Sequence, residues 1–295
     1  MVDLAGSESD ALDKRRATRD LIAYFALTFA ITWGLAAAVL LFRPQFEAVF
    51  GPLGPITKSW PFYVAACAPT ISALLLSIIF GGMGGLKCLF RGLVRPVQIR
   101  WVILALLSFP VAYLVWGVVE RLVFGVSSSI NIHAVLTSLP LLAFTTPIIF
   151  IDPGPWGEEP GWRGFALPRL LMRFSPVTAA VILGVAWSVW HLPAFFASGT
   201  AQSHFNFGWF LVRDIFLSIF MTWLYLRANR NFLVAGFIPH LVNNLAFGAH
   251  VFTDQKVDAL VMISIVALVI AAYGPGLKGW RATSATPALL ESQKG

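Results

Sequence analysis

The chain has 295 residues, 58% of them hydrophobic and only 12% charged, with a mean hydropathy of +0.77. Soluble domains average roughly 45–50% apolar and 25% charged residues, so an ordinary soluble domain is excluded. Apolar runs near 20 residues also recur too often for a signal peptide followed by a soluble domain. The net charge of +7 does not point to a nucleic-acid partner, because the basic residues sit at the ends of the apolar runs.

In chain order the pattern predicts an all-α, polytopic membrane protein with about eight transmembrane helices. They fall at 21–42, 61–80, 102–123, 135–152 (with a possible continuation to 172), 177–197, 207–227, 231–251 and 257–273. With the N-terminus in the cytoplasm, sixteen Lys and Arg lie on inside segments, against four outside: Arg43, Lys58, Arg121 and Lys256. That split follows the positive-inside bias and places both termini in the cytoplasm. Lys14, Arg15, Arg16 and Arg19 precede the first run, and no small-residue cleavage site closes it, so it is read as retained. Residues 1–20 are expected to be a polar, mobile cytoplasmic segment, 21–277 one membrane domain with its motifs within 156–244, and 278–295 a cytoplasmic tail. Cys67 and Cys88 have no metal or redox spacing and read as small apolar fillers. The stretch "GGMGGLKCLFRGLVRPVQIRW" fits an in-plane amphipathic helix or a basic loop equally well.

The fourth span is the difficult one. Val135 to Met172 is 38 residues, about 57 Å as one straight helix, and Pro140, Pro147 and "DPGP" from Asp152 supply breaks. Irregular backbone at membrane depth is tolerated only beside protein or a watery cavity, so a break there suggests a cavity. With an exit near Met172 and Arg173, and Arg169 and Arg173 marking the cytoplasmic edge, Glu158 lies about 21 Å from that edge. His240 and His191 reach comparable depths, about 14 Å and 17–21 Å, on neighbouring spans.

Ionisable side chains inside a span are expensive and functional by default. The set is Glu158, Glu159, Arg163, His191, His240 and Asn244, plus Arg213 and Asp214. The last two open the sixth helix and read as structural, with the arginine snorkelling to the outer interface. Glu159 and Arg163 are four apart in the order favoured for a helical ion pair, although Pro160 and Gly161 between them could loosen it. Glu158 is turned about 100° away and is expected to remain unpaired. Trp187 and His191 share a helix face, as do His240 and Asn244. Three helices can thus aim Glu158, His191 and the His240/Asn244 pair at one point.

A desolvated carboxylate is a better general base near neutral pH, and a neighbouring histidine can share its water. A second histidine with an amide can stabilise an oxyanion. That chemistry is hydrolysis of an amide by activated water, with Glu159 and Arg163 holding the helix. Histidines that merely bond helices together, and zinc held by the two histidines and two glutamates, remain alternatives. HExxH spacing and a GxSxG elbow are both absent. His133, His204 and His250 fall in outer loops and read as structural or neutral.

"EEPGWR" fits an EExxxR motif, "WSVWH" approximates FxxxH, and "HLVNN" fits HxxxN. In that order the chain resembles the CPBP family of intramembrane glutamic endopeptidases, which includes the CaaX proteases and the bacterial Abi self-immunity proteins. "APTISALLL" from Ala68 extends the likeness. The resemblance implies Glu158 as the catalytic glutamate, His191 as its partner on water, and His240 with Asn244 as the oxyanion pair. Glu159 and Arg163 support them, and the site lies in a membrane cavity opening to the cytoplasmic side. Trp187 stands where the motif usually has Phe, which adds bulk and an indole N–H. No cofactor or metal is implied. The expected partners are a peptide or protein substrate, lipidated in the CaaX-processing branch, and the bilayer, with no nucleic acid. The rival is a non-enzymatic immunity or scaffold protein. A proton-coupled transporter fits worst, since no internal repeat and no further buried charge are evident. With no ER-retrieval signal and no CaaX box on the chain itself, the expected location is a bacterial plasma membrane, multi-pass.

Overall fold

A computed structural model describes residues 4–145 and 153–277; the expected tail, 278–295, and the end of the fourth predicted span lie outside them. Among the described residues the protein is helical, with one isolated bridge between Ile130 and Phe252 and no strand. Helices satisfy their own backbone groups, which a lipid-embedded chain requires.

Helix α1 is Leu4–Leu41, 38 residues, so the helix begins well before the apolar run expected at 21–42. The turns from Lys14 to Asp20 are tied to the segment after Glu159. Arg169 Nε donates to Asp20 at 3.1 Å, and Arg173 donates to the Lys14 carbonyl at 3.1 Å and Thr18 Oγ1 at 2.6 Å. Arg169 is therefore buried in an ion pair.

After α2, Arg43–Phe50, the predicted 61–80 helix is divided. Helix α3 is Trp60–Ala66 and α4 is Ala68–Arg91, with the break at Cys67 just before Pro69. A second kink sits at Gly82, whose φ of 54° suits only glycine, so the basic stretch continues as helix to Arg91 and then becomes loop. That loop is pinned by Asn231, whose side-chain amide donates to the Leu93 and Arg95 carbonyls. Helix α5 is Ile99–Val123 and α6 is Ile132–Thr145.

Pro153 to Leu171 runs as α7 (Pro153–Glu159), a π-helical stretch (Pro160–Ala166) and α8 (Leu167–Leu171). The structure thus has helix on both sides of Glu158 and Glu159. Helix α9, Pro176–Trp190, starts at the Ser175 cap and ends at His191, with Pro193 just beyond. Helix α10 is Phe207–Arg227, capped by Asn206. A second π stretch, Leu233–Phe237, leads into α11, Ile238–Gly248, and α12 is Gln255–Tyr273. Pro160 and Pro239, in or beside the π stretches, bring no N–H to the helical ladder.

Among the described residues six helices are long and apolar enough to cross a membrane: α1, α4, α5, α9 with its extension to Phe196, α10 and α12. Of the other two expected spans, one is α6, which leads into undescribed residues, and the other is the shorter apolar segment Leu233–Gly248. Helix α10 is central, with 67% of its apolar window enclosed, and it packs on α9 and α12. Helix α1 packs on α3 and α4, and α4 on the π stretch of 160–166. One apolar core, including Trp162, Phe165, Leu183, Phe220 and Phe237, runs through these contacts.

Candidate active site

Glu158 and Glu159 sit at the end of α7, turned to different neighbours. Glu159 and Arg163 are completely buried, and Arg163 Nη1 donates to Glu159 Oε1 at 2.9 Å, so Pro160 and Gly161 do not break this pair. The same oxygen lies 2.9 Å from His240 Nδ1 on α11. The Arg163 guanidinium also stacks 4.4 Å over the Trp187 ring and reaches Met221 Sδ at 3.1 Å. Glu159 is thereby the hub that joins α7, α11 and, through Arg163, α9 and α10.

Glu158 is not unpaired, contrary to the expectation from its helical position. Its Oε2 accepts a hydrogen bond from Trp187 Nε1 at 2.5 Å, and its Oε1 lies 4.0 Å from His240 Nε2. The extra indole N–H, noted above as added bulk, is the group that fixes this carboxylate. With Nδ1 turned to Glu159, the other nitrogen of His240 is the one near Glu158.

His191 closes α9. Its Nδ1 lies 2.9 Å from the Trp187 carbonyl. A carbonyl only accepts, so Nδ1 carries the proton and Nε2 keeps its lone pair in the neutral ring. The imidazole is boxed by Trp190 at 4.6 Å, Phe210 at 5.3 Å and Trp187 at 5.9 Å between centroids. Trp190 is fixed in turn by its indole N–H on Thr32 of α1, at 2.7 Å.

Glu158, His191, His240 and Asn244 all line one cavity of about 320 Å³, together with Thr32, Leu35, Val39, Pro61 and Phe62. The three segments anticipated from sequence do converge. Glu159, Arg163 and Trp187 are not among the residues lining this cavity. A second, more polar chamber of about 800 Å³ shares His191, His240 and Asn244 and adds Gln202, His204, Arg213, Asp214, Asn243 and Gln255. Among the described residues no group of three or more His, Cys, Asp or Glu is arranged to hold a metal ion.

One network escaped the sequence. Arg213 and Asp214 are buried rather than snorkelling: Arg213 pairs with Asp214 at 2.8 Å and with Asp258 of α12 at 3.4 Å. Tyr113 of α5 donates to Asp258 at 2.5 Å, and Ser188 of α9 lies 3.1 Å from Asp214. Further buried charge therefore exists, and one ground for disfavouring a transporter falls. Asp258 could have been noticed as a lone carboxylate two residues inside the last apolar run. His133, His204 and His250 are exposed, and the last two border the polar chamber.

A family model described as type II CAAX prenyl endopeptidase, Rce1-like, matches residues 134–246, the stretch that carries Glu158, His191, His240 and Asn244. That stretch is thus similar to CAAX prenyl endopeptidases, and the rest of the chain lies outside the match. The CAAX prenyl protease 2 of Methanococcus maripaludis is 33% identical over 123 residues, which is 39% of this chain and 45% of that protein. The chain thus spans less than half the length of this relative. Within the matched stretch lie α7, both π stretches, α9, α10 and nearly all of α11, so the likeness covers the catalytic candidates. Helices α1 to α5 and α12, which supply Thr32, Pro61 and Asp258, fall outside it.

Proposed function

We propose that this multi-pass membrane protein is an intramembrane endopeptidase that cleaves a peptide bond with a water activated by Glu158 and His191. The supporting observation is that Glu158 of α7, His191 at the end of α9, and His240 and Asn244 of α11 meet on the wall of one largely apolar cavity. Each atom has a use. Glu158 is held by Trp187 at one oxygen, which leaves acceptor capacity for a water proton. His191 Nε2, with Nδ1 tied to a carbonyl, offers a lone pair to the same water. The hydroxide attacks the scissile carbonyl, and the proton taken up passes to the departing amine, so water and amide become acid and amine.

Charge develops on the carbonyl oxygen during attack. Preorganised donors in a dry site are the strongest means of stabilising it. The Asn244 amide and a proton on His240 Nε2 are the candidates, since His240 Nδ1 is committed to Glu159. Glu159 and Arg163 act through His240 and Trp187 and are positioning residues. The apolar wall of Leu35, Val39, Pro61 and Phe62 suits an apolar or lipid-modified part of a polypeptide substrate. The proposed setting is a bacterial plasma membrane, with no cofactor and no nucleic-acid partner.

The test is cleavage of quenched-fluorescent peptides, prenylated and unprenylated, by the purified chain and its His191→Ala and Asn244→Ala variants. Loss of turnover in both, with unchanged thermal stability, supports these roles. Undiminished turnover in either removes that residue from the mechanism. If instead a biological activity such as self-immunity survives without any cleavage, the non-enzymatic scaffold reading gains.

A further inference from the structure

The two ends of the helix bundle differ, and the site belongs to only one of them. Arg91, Arg95, Arg169, Arg173, Arg227 and Arg230 gather at the end where α4 and α10 finish and α9 begins. The cavity is built at the other end. Its walls are the last turns of α1 from Thr32 to Leu40, the α2–α3 connection at Ile56 and Ser59, and residues 190–202 after α9. The polar chamber is walled by 201–205 and by 247–255, the start of α12, and includes the exposed His204, His250 and Asp254. Toward the basic end Glu158 is backed by Glu159, Arg163, Phe165 and Phe237, each completely buried. Access to the catalytic candidates is therefore through the sparsely basic end.

Loops rich in Lys and Arg stay in the cytoplasm. The geometry points to a catalytic cavity that opens on the extracytoplasmic face of the membrane, opposite to the side implied by the family resemblance. Its substrate is then a membrane-anchored or exported polypeptide presented at the outer surface, with an apolar segment toward Leu35 and Val39 and a polar one toward Gln202 and Asp254. The substrate clause rests on the peptidase reading; the sidedness does not.

Thiol labelling decides the sidedness without requiring activity. In a full-length Cys67→Ala, Cys88→Ala background, single cysteines are introduced as His204→Cys at the polar chamber and Gln98→Cys at the basic end, both exposed positions. Thr253→Cys, also exposed on the chamber wall, serves if His204→Cys does not accumulate. Spheroplasts of an expressing bacterium are treated with a membrane-impermeant maleimide before and after permeabilisation. The expected result is equal labelling of the chamber cysteine in both conditions, and labelling of Gln98→Cys only after permeabilisation. A chamber cysteine that labels only after permeabilisation overturns the proposal. Labelled chamber cysteines together with failed peptide cleavage would sink the peptidase reading and leave the sidedness standing.

Discussion

Trp187 donates its indole N–H to the Glu158 carboxylate at 2.5 Å across 29 positions of chain, joining α9 to α7. The bond orients the proposed base through the residue that departs from the family's usual phenylalanine. Trp187→Phe keeps an aromatic ring beside Arg163 and His240 but removes the donor. A hydrogen bond to a charged group is worth about 1.5–3 kcal/mol, and about 1.4 kcal/mol is tenfold in rate. The expected outcome is a kcat lower by about tenfold or more, read at temperatures where the variant, destabilised by the lost bond and the smaller ring, remains folded. An unchanged kcat would mean that the indole bond does not orient the base.

Arg163 neutralises a carboxylate from which water is excluded. Arg163→Met leaves Glu159 with only His240 as a charged partner, and breaking a buried pair by removing one member costs about 3–5 kcal/mol. Arg163→Lys should rescue only in part, because an ammonium cannot stack on Trp187 as the planar guanidinium does at 4.4 Å. Thermal denaturation in detergent checks the order wild type, Lys, Met.

Gly236 lets the second π stretch pass directly against Glu159. A Cβ there would run into the carboxylate oxygen Oε2, whereas one at Gly248 would meet nothing within 4 Å. Gly236→Ala should displace Glu159, and with it His240, costing about 1–3 kcal/mol and most of the turnover. Gly248→Ala is the control and should change neither quantity. Paired unfolding and cleavage measurements test both, and equal effects at the two positions would contradict the close approach.

Tyr113 and Asp258 link α5 to α12, and neither lines the cavity that holds Glu158. Tyr113→Phe removes the hydroxyl that donates to Asp258 and should cost about 1.5–3 kcal/mol of stability. KM and kcat should stay near wild type at temperatures where the variant is folded. A selective loss of kcat would tie this network to catalysis.

The sequence carried the site further than it carried its supports. Three spaced motifs marked Glu158, His191, His240 and Asn244 because helical spacing and the cost of buried charge are local properties. Spans such as 207–227, observed as Phe207–Arg227, were legible for the same reason: length and hydropathy suffice. Pairings between helices leave no periodic trace. Tyr113 to Asp258, 145 positions apart, and Asp20 to Arg169, 149 apart, are of this kind. The same holds for Trp187 on Glu158, where the residue type was visible but its partner was not. The break at Cys67 and the ties of Lys14, Thr18 and Asp20 to Arg169 and Arg173 depend on tertiary contacts that local composition does not reveal.

Peptide cleavage by wild type and Glu158→Gln, assayed side by side with and without a chelator, tests the proposed base most directly. The substitution keeps the size of the side chain and its ability to accept from Trp187 but cannot take a proton. General-base catalysis contributes about 10²–10⁴-fold. Wild-type cleavage that persists in chelator and falls by that factor in Glu158→Gln is the expected result. Cleavage by the variant at the wild-type rate would contradict the assignment of Glu158, and cleavage abolished by the chelator would move the chemistry to a bound metal.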